Sequence, residues 1–332
     1  MLDFQSEFMN FHDAIKLDDE NEDLIQKRDI LLKKLKDNIS DDAVSFSNFN
    51  QGSYAMGTGI KPQNGDYDID VGLKFNLSKD DYDPITVKKW VRDALSGHTK
   101  SVEIRRSCVT VTYQRHEEAL YHVDFAVYAA NNNDDELYIA KGKENSNDEN
   151  KFWEISCPNE LIETLKSRFE GEDRAQFRRM IRYLKKWKDE NFSTAGNSAP
   201  TGISLTILAY DLFEVENKID PITYKSSYND FEALFKLVNR ITSRFTYTKR
   251  NEEYCHTISA LLPVKPGNDL FEKMTNKQMD LFYKKICSLA SVLEEVKNCS
   301  NRKEACTKLA KVFGDDFPVT VDKSLVGSSE SA

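Results

Sequence analysis

Gln51-Gly52-Ser53-Tyr54-Ala55-Met56-Gly57-Thr58 leads almost at once into Gly65-Asp66-Tyr67-Asp68-Ile69-Asp70-Val71-Gly72-Leu73. A glycine-rich turn is followed by a run in which aspartate alternates with apolar or aromatic residues. In a β-strand successive side chains point to opposite faces, so Asp66, Asp68 and Asp70 share one face while Tyr67, Ile69, Val71 and Leu73 share the other. The apolar face packs and the acidic face is displayed. At about 4 Å and an effective dielectric of about 20, a pair of like charges costs roughly 4 kcal/mol. A cation therefore belongs on that face. Hard oxygen donors in small number suit Mg²⁺ or Mn²⁺, which keep several waters and also bind substrate phosphates.

The turn supplies the complementary half. Gly52 permits close backbone approach, and Ser53 is expected to cap a following helical turn whose free N–H groups and positive dipole end face an anion. A polyphosphate is the natural guest.

Outward from this stretch, Val44 and Phe46 begin a short strand that delivers the turn, and 66–76 is the carboxylate strand. Upstream, Phe4, Phe8, Phe11 and Ile15 have helical spacing. Leu24, Ile25, Ile30, Leu31, Leu32 and Leu35 repeat it, as a helical arm leading into the core. Downstream, 84–95 reads as a helix, and 101–106, 108–114 and 120–129 read as strands. In the last of these, His122, Asp124 and Ala126 share a face between Val123, Phe125 and Val127. An aspartate among such neighbours is costly to bury unpaired. It wants a cation, and the acidic face already described provides the place for one. A short strand follows over 137–140.

From 159 to about 312 the periodicity predicts helices over 159–170, 173–190, 200–215, 228–243, 277–298 and 301–312. The expected architecture is α+β: a mixed N-terminal lobe over 1–158, an all-helical lobe over 159–320, and a flexible tail over 321–332 of small and polar residues. In the helix at 173–190, Phe177, Met180, Ile181, Leu184 and Trp187 form the apolar stripe, and Arg178, Arg182, Lys185 and Lys186 gather beside it. A solvated face balanced by acids and a lysine reaching a triphosphate, from either Lys185 or Lys186, are both open readings of that stripe.

The 332 residues, 39% hydrophobic and 11% aromatic, suffice for a sizeable core. The longest apolar runs fall far short of the roughly 20 residues that span a membrane, and Met1-Leu2-Asp3-Phe4-Gln5 does not begin a signal peptide. A cytoplasmic protein with no membrane partner is expected. The six cysteines, at 108, 157, 255, 287, 299 and 306, form no Cys-x-x-Cys pair, so neither a disulfide framework nor a zinc ribbon is indicated. A net charge of −9 argues against a surface built to grip long nucleic acid. Small nucleotides remain natural ligands.

Gly52-Ser53, Asp68-x-Asp70 and the later Asp124 match the polymerase-β-like nucleotidyltransferase pattern. The segments from Gln51 to Pro62 and from Asp66 to Gly72, the 153–158 stretch, Lys185-Lys186-Trp187-Lys188, and Pro200-Thr201-Gly202-Ile203-Ser204 come in an order that resembles the bacterial CD-NTases. These are the cGAS/DncV-like nucleotidyltransferases of antiphage CBASS operons. The resemblance covers about residues 45–275. It implies a bilobed enzyme with a palm sheet, a helical second lobe and nucleotides held between them. It further implies that Asp68, Asp70 and Asp124 hold two Mg²⁺ ions, that Gln51, Gly52 and Ser53 hold the donor triphosphate, and that Lys185 or Lys186 and Ser204 touch phosphate. No counterpart of the animal enzyme's zinc insertion is present.

The activity so implied is synthesis of a cyclic di- or trinucleotide messenger from nucleoside triphosphates, ATP or GTP or both, by two-metal nucleotidyl transfer. Its implied partners are a product-activated effector protein and a conjugation apparatus acting on the C-terminal tail. The alternatives are a nucleotidyltransferase that adds nucleotides to RNA or modifies a protein or small molecule, and a nucleotide-binding scaffold on a degenerate palm. Intact Asp68, Asp70 and Asp124 weigh against the scaffold.

Overall fold

The computed structural model describes residues 2–319 apart from 18, 19, 64, 66, 100, 116, 117, 194–197, 220, 223, 225 and 251. In chain order the elements begin with α1 (Gln5–Ile15), α2 (Glu20–Asn38), β1 (Phe46–Asn50), α3 (Gly52–Met56), β2 (Tyr67–Phe75), α4 (Pro84–Leu95), β3 (Ser101–Ile104), β4 (Val109–Arg115), β5 (Glu118–Ala129), β6 (Tyr138–Lys141) and β7 (Phe152–Ile155). There follow α5 (Pro158–Ser167), α6 (Gly171–Asn191), α7 (Gly202–Leu212), β8 (Asn217–Ile219), β9 (Ser226–Tyr228), α8 (Asp230–Arg244), β10 (Thr246–Arg250), β11 (Glu253–Thr257), α9 (Asn276–Lys297) and α10 (Arg302–Phe313).

Two compact units share these elements. One comprises residues 16–174 and 261–269; the other comprises, among the described residues, 2–15, 175–260 and 270–319. The sequence-based boundary at 158 differs from this division in three places, one of them the return of residues 261–269 to the sheet unit. Helix α5 belongs to the sheet unit, and α1, expected as part of an arm leading into the N-terminal core, belongs to the helical unit.

The sheet unit is built on the strand order β1-β2-β5-β4-β3, with β6 joined to β5 and β7 to β6. Only β2 and β5 run parallel; every other neighbouring pair in this sheet is antiparallel. Strand β4 borders β5 as far as Phe125, and β6 takes over at Tyr128 and Ala129. The alternation read from the sequence is what makes the sheet two-sided. Ile69, Val71, Leu73 and Phe75 of β2 and Val123, Phe125 and Val127 of β5 are buried in one cluster with Leu24, Leu31 and Leu35 of α2 and Val87, Val91 and Leu95 of α4. With both helices on that face, the opposite face is left to the carboxylates. Helix α4 starts where Asp83 accepts from the N–H groups of Ile85 and Thr86, with Pro84 in the first turn where a missing N–H costs nothing.

The helical unit closes around α1. Phe8 and Phe11 each lie 5.3 Å, ring centre to ring centre, from Tyr183 of α6, and Phe4 lies 5.3 Å from Phe231 of α8. Beneath them the fully buried Asp230 receives Arg179 at 2.5 and 2.9 Å and the Tyr183 hydroxyl at 3.0 Å. An aspartate so deeply buried is tolerable because it is paired and hydrogen-bonded.

The expectation of an all-helical C-terminal lobe is corrected by two hairpins, β8–β9 and β10–β11. Thr246-Tyr247-Thr248-Lys249-Arg250 and Glu253-Tyr254-Cys255-His256-Thr257 carry the β-branched and aromatic residues that favour strands, and their turn holds Glu252 at φ 67°. Cys255 alone among these ten residues is buried, so the hydrophobic period that would announce a strand is missing. Asp66 and the tail at 321–332 lie outside the described residues.

Candidate active site

Parallel pairing of β2 with β5 sets Asp68 beside His122 and Asp70 beside Asp124. The three aspartates each offer an oxygen, and these oxygens lie within 4.8 Å of one another. Asp68 is exposed, Asp70 and Asp124 half-buried. Three carboxylates so close are mutually repulsive. An all-oxygen donor set of this size fits a hard divalent cation, with room for waters and substrate oxygens to complete the shell.

The glycine turn is tied to this strand by its backbone. The Gln51 N–H donates to the Asp70 carbonyl at 3.1 Å. The Gln51 side-chain oxygen accepts from the Tyr128 hydroxyl at 2.8 Å, so this residue fastens the turn to β2 and β5 together. Gly52 has φ +65°, and a Cβ there would stand 1.8 Å from Asp70 Oδ2. No other residue type fits. Helix α3 follows for one turn and ends at Gly57 in the left-handed region. The expected cap is corrected here: Gln51, extended at φ −137° and making no side-chain cap bond, occupies the N-cap, and Ser53 lies inside the turn with its carbonyl accepting from Thr58 at 2.9 Å.

The floor beside the acidic cluster is apolar. Ala126, Tyr128 and Ile139 form a small buried cluster against which Phe49 packs. Phe49 covers Gly72, its partner in the β1–β2 register, where a Cβ would meet the ring at 2.1 Å. Burial, with the Asp70 charge adding to it, pushes the Tyr128 hydroxyl well above the ordinary phenol range.

Strand β4 adds residues that sequence reasoning missed. The Thr110 hydroxyl donates to Asp124 Oδ1 at 2.5 Å, and Thr112 Oγ1 lies 3.0 Å from His122 Nδ1. Cys108 Sγ lies 3.5 Å from Thr110 Oγ1. Burial first, and then the Asp124 charge, pushes the Cys108 thiol up to about 12, so it stays protonated. Alternation alone puts 108, 110 and 112 on one face of β4. Which face follows only from the register with β5.

The remaining predicted residues lie in the helical unit. Lys186 is buried, with its ammonium 2.9 Å from Glu190 Oε1 and 2.5 Å from Asp316 Oδ2. Burial pulls its pKa down, but the hydrogen bonds from Asp316 and Glu190 outweigh this and hold it above the ordinary lysine value. Lys185 is also buried, and its Cε is 3.4 Å from where a Cβ on Gly202 would stand, at the first residue of α7. Ser204 is fully buried. Its N–H donates to Thr201 Oγ1 at 3.2 Å and its hydroxyl to the Thr201 carbonyl at 2.8 Å. In this arrangement the hydroxyl's single proton is directed within the first helical turn.

Comparisons with known proteins agree with this geometry. Residues 47–128 match the family model described as cyclic GMP-AMP synthase DncV-like, nucleotidyltransferase domain. A cyclic GMP-AMP synthase of Escherichia albertii is 26% identical over 169 residues, 48% of this chain; the match spans 35% of that relative's length. The fold is shared with the crystal structure of Vibrio cholerae DncV cyclic AMP-GMP synthase, a prokaryotic cGAS homolog, at a TM-score of 0.70 and 16% identity over 97% of this chain and all of that one. It is shared also with the Bradyrhizobium diazoefficiens CD-NTase CdnG solved with GTP, at a TM-score of 0.71 and 13% identity over 93% of this chain and 95% of that one. No described helix is long and apolar enough to cross a membrane.

Proposed function

We propose that this chain, whose residues 47–128 match the DncV-like nucleotidyltransferase domain model and whose fold is shared with bacterial CD-NTases, joins nucleoside triphosphates into a cyclic di- or trinucleotide with release of pyrophosphate. The observation that carries the reading is the convergence of Asp68, Asp70 and Asp124 beside a glycine turn that only glycine can make. ATP and GTP are the substrates we assign, since one similar protein is named a cyclic AMP-GMP synthase and another was solved with GTP.

The three carboxylates would hold Mg²⁺, for which Mn²⁺ can substitute. Bound there, two ions would supply the acidity that ionises an acceptor ribose hydroxyl and the charge that offsets the triphosphate and departing pyrophosphate. The protein's share is positioning. Gln51 locks the turn to Asp70 and Tyr128, and the turn presents the Gly52 and Ser53 amides to the donor phosphates. Lys185 is the lysine we assign to phosphate, because the Lys186 ammonium is neutralised by Glu190 and Asp316. Transfer of this kind needs orientation and charge neutralisation rather than a protein nucleophile. A second transfer, within the linear product, closes the ring. In a cell the product would act on an effector protein in antiphage signalling from the cytoplasm.

The test is incubation with all four nucleoside triphosphates and Mg²⁺ or Mn²⁺, with nuclease-resistant products read by mass spectrometry. Cyclic products that vanish in an Asp68→Ala, Asp70→Ala variant are expected. Absence of any cyclic product, with labelled RNA extended in its place, would overturn the reading in favour of a polymer-adding nucleotidyltransferase.

A further inference from the structure

Strand β4 touches the acidic cluster without adding a carboxylate to it. Thr110 stands directly across from Asp124 in the antiparallel register, is 1% exposed, and has its hydroxyl oxygen 2.5 Å from Asp124 Oδ1. A hydroxyl has one proton, and an ionised carboxylate can only accept, so that proton lies on the Thr110–Asp124 line. The Cys108 sulfur, 3.5 Å from the same hydroxyl oxygen, is left as a donor, to that oxygen or to Asp124 itself. Counting donors therefore fixes the direction of the Thr110–Asp124 bond, with the Cys108 S–H directed at the same pair.

We propose that Thr110 is a positioning residue for Asp124. By occupying Oδ1 it fixes the rotation of the carboxylate and reserves the remaining lone pairs for a divalent cation shared with Asp68 and Asp70. The inference rests on the metal-binding part of the proposed function. Two effects oppose each other. Donation from Thr110 draws charge from the carboxylate and weakens it as a ligand, while holding it in one orientation removes the ordering cost of binding. Loss of an outer partner to a metal ligand typically costs about 10–100-fold in affinity, so the ordering effect is expected to win.

Thr112 provides an internal control. It is two residues along the same strand, on the same face and 7% exposed, but its hydroxyl meets His122 rather than a carboxylate. Removing either hydroxyl disturbs the packing of β4 alike. Only one removal should disturb the cation.

The experiment measures Mn²⁺ binding to the full chain without nucleotide, from the electron paramagnetic resonance signal of free Mn²⁺, alongside a thermal melt of every variant. Thr110→Val, which exchanges the hydroxyl for a methyl group of the same shape, is expected to weaken Mn²⁺ binding by about tenfold or more. Thr110→Ser should restore most of the affinity, and Thr112→Val should lose less than Thr110→Val. If Thr110→Val does not fold, Thr110→Ala carries the same expectation. Unchanged or tighter binding in Thr110→Val, failure of Thr110→Ser to rescue, or an equal loss in Thr112→Val would each overturn the proposal. Asp124→Asn separates the two levels of inference. If it abolishes binding while Thr110→Val does not, the role of Thr110 alone fails; if it too leaves binding unchanged, the acidic cluster is not the cation site and both readings fall.

Discussion

Gly52→Ala isolates the closest approach in the candidate site. The added Cβ would lie 1.8 Å from Asp70 Oδ2, 2.6 Å from Cγ and 2.9 Å from Cβ, where ordinary contact begins at 3.4 Å. The shortfall against Oδ2 is thus 1.6 Å. Backbone movement offers little relief, since β2 is paired on both sides and the Asp70 carbonyl holds the Gln51 N–H at 3.1 Å. The Asp70 carboxylate must swing away instead. Independently, φ +65° at residue 52 costs a non-glycine residue about 1–2 kcal/mol. Gly97→Ala separates these contributions. Gly97 has φ +73° with nothing within 4 Å of the added carbon, so it carries the strain without the collision. The expectation is a loss of stability in both variants, the larger in Gly52→Ala, where the collision adds to the strain. Only Gly52→Ala should lose turnover, by about 100-fold or more, because a displacement of about 1 Å at reacting groups costs that much. Its Mn²⁺ affinity should fall as well. Melting curves, product formation by mass spectrometry and Mn²⁺ titration provide the readouts. Wild-type Mn²⁺ affinity and turnover in Gly52→Ala would refute the view that this glycine exists to make room for Asp70.

Two further expectations concern the helical unit. Lys185→Met should raise the KM for nucleoside triphosphate about tenfold or more, the equivalent of one hydrogen bond to a charged group. Lys186→Met should leave KM near wild type and instead lower stability by about 1–2 kcal/mol, since it releases Glu190 and Asp316, which are partly exposed; the reverse pattern in steady-state kinetics and melts would exchange their roles. Burial, reinforced by the Arg182 and Arg179 charges, lowers the His12 pKa to about 4, and Arg182 lies 3.1 Å from His12 Nε2, which can accept from it only while that nitrogen is unprotonated. Because the unfolded chain takes up this proton near pH 6.5 and the folded chain only near 4, stability should fall as pH drops through that window, by about 3 kcal/mol in all. His12→Gln, which keeps an acceptor and cannot titrate, should flatten that slope in urea unfolding at successive pH values; an unchanged slope would exclude His12 as its source.

What could be read from the sequence follows the range of the physics involved. Period-two alternation decides the face of each side chain within one strand, so Asp68, Asp70 and Asp124 were identifiable without knowing how β2 and β5 pair. Thr110 was not, because its role depends on the β4–β5 register, which shifts between Tyr113 and Gln114. Helices α4, α6 and α9 were legible from their apolar stripes, whereas hairpins β8–β9 and β10–β11 bury too little to show a period. The N-cap was not legible at Ser53 because a serine beside a helix start has several competing acceptors and donors, and only the settled backbone selects among them.

Lys185 and Lys186 show where local reading ends. They are neighbours in sequence and so about 100° apart around α6. Glu190, four residues after Lys186, is a partner the helical period could suggest, but Asp316 is 2.5 Å from the same ammonium and far along the chain. The rotation that points Lys186 at these two carboxylates points the stem of Lys185 at Gly202, where the N-terminal turn of α7 begins. A helix start carries free N–H groups and partial positive charge, so a buried lysine beside it adds like charge to like. Of two adjacent lysines, then, Lys186 is committed to Glu190 and Asp316 and serves stability, and it is this commitment that leaves Lys185 as the lysine proposed for phosphate.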